Sequence, residues 1–105
     1  FEIELMVDRI SKAFEKYPNI KVLTFAELTA EFARKHGARF LLRGLRNTTD
    51  FEYENSISQV NRKLNQDMES VFLITTPQLA WISSSIIREV HRYGGDVSQF
   101  LPYKL

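Results

Sequence analysis

A chain of 105 residues, 44% hydrophobic and 12% aromatic, is long enough for one small domain with a core and too apolar for disorder. Fourteen basic residues against thirteen acidic ones leave a formal charge of +1, which gives no support to nonspecific nucleic-acid binding and makes any anion recognition local. The lack of cysteine excludes disulfides and cysteine-ligated zinc and fits a reducing cytoplasm.

No apolar run reaches the roughly 20 residues that span a bilayer, so no membrane role is expected. The chain has neither an initiator Met nor a signal-peptide pattern, and Phe1 opens directly into a helical pattern. A longer parent protein is therefore expected.

Ile3, Met6, Val7, Ile10, Ala13 and Phe14 recur at helical spacing and predict an amphipathic helix over 2–16, ended by Tyr17-Pro18-Asn19. Ile20-Lys21-Val22-Leu23 reads as a short strand. Thr24, with Glu27 three residues on, resembles a capping box. It would open a helix to His36, with Phe25, Leu28 and Phe32 inward and Gly37 as C-cap. Arg39–Leu42 is a second strand. Asp50 is placed to cap a third helix with Tyr53, Ile57, Val60 and Leu64 along its inward stripe. Ser70–Ile74 is a third strand, apolar enough for burial on both faces. Ser83–Ser85 open a last helix to about Tyr93, stopped by Gly94-Gly95.

Strands separated by helices predict an α/β fold, a Rossmann-like parallel sheet with flanking helices, as a single domain over 1–105. Ligands in such sheets bind beyond the carboxyl ends of the strands. Arg43 is expected at the end of the second strand and the loop before Ser83 just past the third, so both point to one sheet edge.

Arg43 and Arg46 flank Gly44, a position where a backbone approaches a ligand closely. Two guanidiniums at a strand end suit a di- or triphosphate, while ion pairs with Asp50, Glu52 or Glu54 are the alternative. Glu54 is either a sugar or base acceptor or a solvated charge. Ser83, Ser84 and Ser85 lie at a helix start, where hydroxyls, free N–H groups and the helix dipole together favour phosphate. Arg88 lies one turn on, on the same face. The alternative is an ordinary N-cap serine beside a solvated arginine. Neither His36 nor His91 makes a base by its position, and no metal-ligand or nucleophile-elbow pattern occurs.

Arg43-Gly44-Leu45-Arg46, Asp50-Phe51-Glu52-Tyr53-Glu54 and Asn61-Arg62 closely resemble the central block of the bacterial phosphopantetheine adenylyltransferases. Glu69–Leu73 resembles the family's next strand, and Ile82-Ser83-Ser84-Ser85 the ISSTxxR motif of the nucleotidyltransferase superfamily. Gly95-Asp96-Val97 and Phe100-Leu101-Pro102 resemble its C-terminal segment, so the likeness runs through essentially the whole chain.

The resemblance implies transfer of adenylate from ATP to 4′-phosphopantetheine, giving dephospho-CoA and pyrophosphate, with Mg2+ as cofactor, a homohexamer and a cytoplasmic setting. Coenzyme A or its precursor is implied as a further ligand. Thr29 and Arg43 would contact phosphopantetheine; Gly44, Leu45, Arg46 and Glu54 would contact ATP. Leu79, Ala80, Trp81, Ile82, Ser83, Ser84 and Ser85 would form the adenine and phosphate loop. Arg88 occupies the superfamily motif's arginine position. Leu79-Ala80-Trp81 departs from the aromatic-first pattern of that loop.

The family's TxGH histidine and a following lysine have no counterpart here. The chain is therefore expected to be the C-terminal two-thirds of the family domain, with the N-terminal strands missing, no assignable catalytic residue or metal ligand, and little activity alone. A non-catalytic nucleotide- or phosphate-binding module is the alternative.

Overall fold

Phe40–Leu45 (β1) and Glu69–Ile74 (β2) pair in parallel, from Phe40 opposite Glu69 to Leu45 opposite Ile74. Thr48–Leu64 (α3) runs between them, giving the expected β-α-β alternation. The computed structural model describes residues 2–104, and these fall into two compact units. One is Phe25–Trp81; the other holds the described residues before and after it.

Partners in a parallel ladder share a face. One face of the Phe25–Trp81 sheet therefore carries Leu41, Arg43, Leu45, Ser70, Phe72 and Ile74. Leu41 packs there on Ala30, Ala33 and Met68, the buried centre of the unit, and Phe51 meets Phe72 edge to face at 5.8 Å. Two alanines at the contact let Thr29–Lys35 (α2) approach closely. The other face, with Phe40, Leu42, Val71 and Leu73, is exposed. Burial of β2 on both faces is thus not observed, because the described helices of this unit cover only one side.

Other expectations need correction. β1 runs to Leu45 rather than Leu42, because β2 offers a partner at every step, so Arg43 and Gly44 lie within the ladder opposite Phe72 and Leu73. Asn47, not Asp50, caps α3: its side chain accepts from the Asp50 N–H at 2.9 Å. Tyr53, Val60 and Leu64 are exposed, while Glu54, Ile57, Ser58 and Asn61 turn inward. A carboxylate held by Arg43 and an asparagine replace the apolar stripe that periodicity suggested.

α2 begins at Thr29 with Leu28 as an uncapped N-cap, leaving Phe25 and Leu28 outside the helix and exposed. Thr24 does not cap it. Glu27 pairs with Lys35 at 2.8 Å instead of reaching back to Thr24. Phe25 stacks on Phe32 with centroids 4.3 Å apart.

The helix stops at Gly37 as expected, with His36 as the C-cap and Gly37 just past it. Gly37 has φ 66°, its N–H reaches Arg34 O, and the Ala38 N–H reaches Ala33 O, the paired bonds of a Schellman ending. A Cβ on Gly37 would meet nothing within 4 Å, so Gly37→Ala should cost only the left-handed backbone penalty, about 1 kcal/mol. A urea-unfolding midpoint that does not fall in this variant would contradict that account.

In the other unit, Ile3–Ala13 (α1) is shorter than expected. Its last bonds tighten, with Phe14 N–H shared between Ile10 O and Ser11 O and Glu15 N–H on Lys12 O. Residues 20–23 form no strand, since a strand needs a ladder and no described residue pairs with them. Ile20 N–H closes a turn on Tyr17 O instead. Ser84–Arg92 (α4) stops at Gly94, φ 84°, with the Gly95 N–H on Val90 O. No helix among the described residues is long and apolar enough to cross a membrane.

Candidate functional site

The Phe25–Trp81 unit brings both motif arginines into paired geometry. Arg43 donates through Nε to Glu54 Oε2 at 3.0 Å and through Nη2 to Oε1 at 2.7 Å, a bidentate fork. The Glu54 side chain is largely buried and that of Arg43 about half exposed. The hydrogen bond to Glu54 raises the Arg43 pKa further above its ordinary value.

Arg46 makes a second fork, donating through Nε to Asp50 Oδ2 at 3.0 Å and through Nη2 to Oδ1 at 3.2 Å. Its own backbone N–H also donates to Oδ2, at 3.0 Å. The side-chain bonds from Arg46, with its backbone N–H, hold the Asp50 carboxyl below its ordinary pKa, and the bond to Asp50 raises that of Arg46. The ion-pair alternative is therefore realised for both arginines. It does not exhaust them. A guanidinium carries five N–H donors, and each fork uses two of its arginine's.

The remaining predicted residues of this unit differ in what they offer. A Cβ on Gly44 would meet nothing within 4 Å, so its backbone is open to close approach. Leu45 is 3% exposed and its carbonyl accepts from the Thr75 N–H at 2.9 Å, so its side chain serves the core. Thr29 is the half-buried first residue of α2. Leu79 ends a short 3₁₀ turn, Pro77–Leu79, and is exposed, as is Trp81, with Ala80 half-buried between them. Glu54, read from the sequence as an ATP contact, accepts the Arg43 fork, and the residue as a whole is half-buried.

The other unit contains the serine motif. Ser83 caps α4 by accepting from the Ile86 N–H at 3.2 Å. Ser84 and Ser85 occupy the first turn, where N–H groups lack intrahelical acceptors. Arg88 Nη2 reaches Ser85 Oγ at 3.5 Å. Ile82 is half-buried just before the cap. Beside the motif lies a cavity of about 350 Å³, lined by Ser83, Ser84, Ile87 and Arg88 with Leu101 and Tyr103.

Sequence reading missed the C-terminal side of that cavity, because Leu101 and Tyr103 lie in an irregular segment without periodicity. It also missed the burial of Asn61, 6% exposed, whose Nδ2 finds no acceptor among the described residues. An asparagine inside a helix carries no signal of its own burial.

A strand–helix–strand unit whose first strand carries one held arginine and leads into another, and a second unit whose helix starts at a serine cap, offer donors of the kind that suit phosphate. The cytidylyltransferase-like family model matches residues 6–90, and the chain belongs to that family. Over all 105 of its residues it is 62% identical to the phosphopantetheine adenylyltransferase of Cytophaga hutchinsonii, covering 70% of that protein. Over 102 residues it is 46% identical to that of Lachnoclostridium phytofermentans, covering 63% of it. Within the wider family, the chain thus falls with the phosphopantetheine adenylyltransferases.

Proposed function

We propose that the protein transfers adenylate from ATP to 4′-phosphopantetheine, releasing pyrophosphate and forming dephospho-CoA, a step of coenzyme A synthesis. The observation that carries this reading is the Arg43–Glu54 segment, which presents two guanidiniums, each fixed by a carboxylate and each with donors to spare. Its likeness to proteins named for this reaction supports it.

The reaction is an in-line displacement. A phosphate oxygen of phosphopantetheine attacks the α-phosphorus of ATP. The bond from that phosphorus to the bridging oxygen breaks, and pyrophosphate leaves. Such transfers depend on positioning and on stabilising charge. In this reading Arg43 and Thr29 orient the acceptor phosphate. Arg46, the open backbone at Gly44 and the main chain of Leu45 hold the nucleotide. The α4 start at Ser84 and Ser85 receives phosphate charge, with Arg88 behind it, and Leu79–Ile82 borders the adenine. Glu54 is a further nucleotide contact and also fixes Arg43.

Magnesium does not fit the side chains present as a protein-held ion. No group of three or more acidic, histidine or cysteine residues among the described residues could hold it. The carboxylates of Asp50 and Glu54 are also occupied by arginines. The proposal therefore leaves magnesium to the nucleotide's own phosphates and routes no step through it. A homohexamer in the cytoplasm completes the proposal.

Acceptor choice tests the reading. Supplied with ATP, the protein as encoded in full should release pyrophosphate with 4′-phosphopantetheine and not with nicotinamide mononucleotide or glycerol phosphate. Release with either of the latter and none with the former would overturn it.

A further inference from the structure

We infer that Asp50 is a positioning residue for nucleotide binding, fixing the direction in which Arg46 presents its free donors. The inference rests on the proposed role of Arg46 as an ATP contact. Asp50 differs from an ordinary i,i+4 surface partner in what it holds. Its two oxygens receive three bonds from a single residue, two from the guanidinium and one from the backbone N–H. The carboxylate thus ties the Arg46 main chain, just past the end of β1, to the side chain that follows from it.

Asp50 is fixed in turn. Its own N–H donates to the Asn47 cap, so the acid is anchored in the first turn of α3. Strand end, cap and acid make a closed loop in which Arg46 has little rotamer freedom left. The Asp50 side chain is about three-quarters buried and that of Arg46 three-fifths buried.

A long arginine side chain loses substantial rotamer entropy when it is immobilised on a ligand. Ordering it before the nucleotide arrives removes part of that cost from binding. The fork spends Nε and one Nη2 donor, leaving three donors, two of them on Nη1, for a ligand. Asp50 also keeps local charge balanced while the site is empty and draws the guanidinium to one side of its reach.

A double-mutant cycle in the protein as encoded in full tests this, with ATP and phosphopantetheine varied separately. Asp50→Asn should raise the KM for ATP about fivefold, the scale of a partly exposed ion pair. The KM for phosphopantetheine and the urea midpoint should stay nearly unchanged. Asp50→Glu should recover part of the loss. In an Arg46→Ala background, Asp50→Asn should have no further effect.

Additive losses in the cycle, or equal losses toward both substrates, would make Asp50 merely structural and overturn the inference. Unaltered ATP kinetics in Asp50→Asn, with Arg46→Ala still impaired, would also overturn it and leave the reading of Arg46 standing. Unaltered kinetics in Arg46→Ala would instead remove the reading beneath it.

Discussion

Arg46→Ala is expected to raise the ATP requirement and slow turnover by on the order of 10²-fold, the usual cost of losing a charged contact to developing phosphate charge. The expectation follows from the geometry: two guanidinium donors rest on Asp50, and those left over find no acceptor among the described residues. Stability should change little, because a partly exposed ion pair is worth only about 0–1 kcal/mol. Arg46→Lys keeps the charge and loses the planar fork, so it should fall between wild type and alanine. Wild-type steady-state kinetics in Arg46→Ala would remove Arg46 from the nucleotide site.

Met68→Ala should produce the largest loss of stability, about 3 kcal/mol in urea unfolding, because deleting a buried methionine removes its transfer energy and leaves a cavity. Met68 is 2% exposed and lies against Ala30 at 0%, Ala33 and Leu41. The cluster is small, and two of its members are already alanines, which have no side chain to move into the space. Asn65 adds a polar clasp at the same point, donating from Nδ2 to Ala30 O at 3.2 Å. Met68→Leu nearly conserves volume and should cost less than about 1.5 kcal/mol. A loss below 1 kcal/mol in Met68→Ala would show that this cluster is not the centre of the unit.

The order of elements from Arg39 onward was legible because the signals there are local. Gly37 and Gly94 adopt positive φ where the helices end, and the apolar run at 70–74 became β2. Paired arginines next to acids announced an anion site or ion pairs, and the structure contains the pairs. What failed was long-range. Thr24 and Glu27 have the spacing of a capping box, but Lys35, eight residues past Glu27, takes the carboxylate.

Residues 20–23 have a strand's composition and no ladder partner among the described residues, a fact that no local pattern encodes. The inward side of α3 was misread because Arg43, eleven residues before Glu54, turns that acid inward. Asp50 has a capping residue's chemistry, but Asn47 stands three residues earlier and takes that role. The acid is thereby released for Arg46. The donors were therefore visible in the sequence, and the carboxylates that orient them were not.

The most direct test follows the α-phosphorus. The protein as encoded in full is given ATP radiolabelled at that atom together with 4′-phosphopantetheine, and the products are separated. Label in dephospho-CoA with unlabelled pyrophosphate is the expected result. Label that stays in ATP while the nucleotide binds would contradict adenylyl transfer and make the protein a nucleotide-binding module.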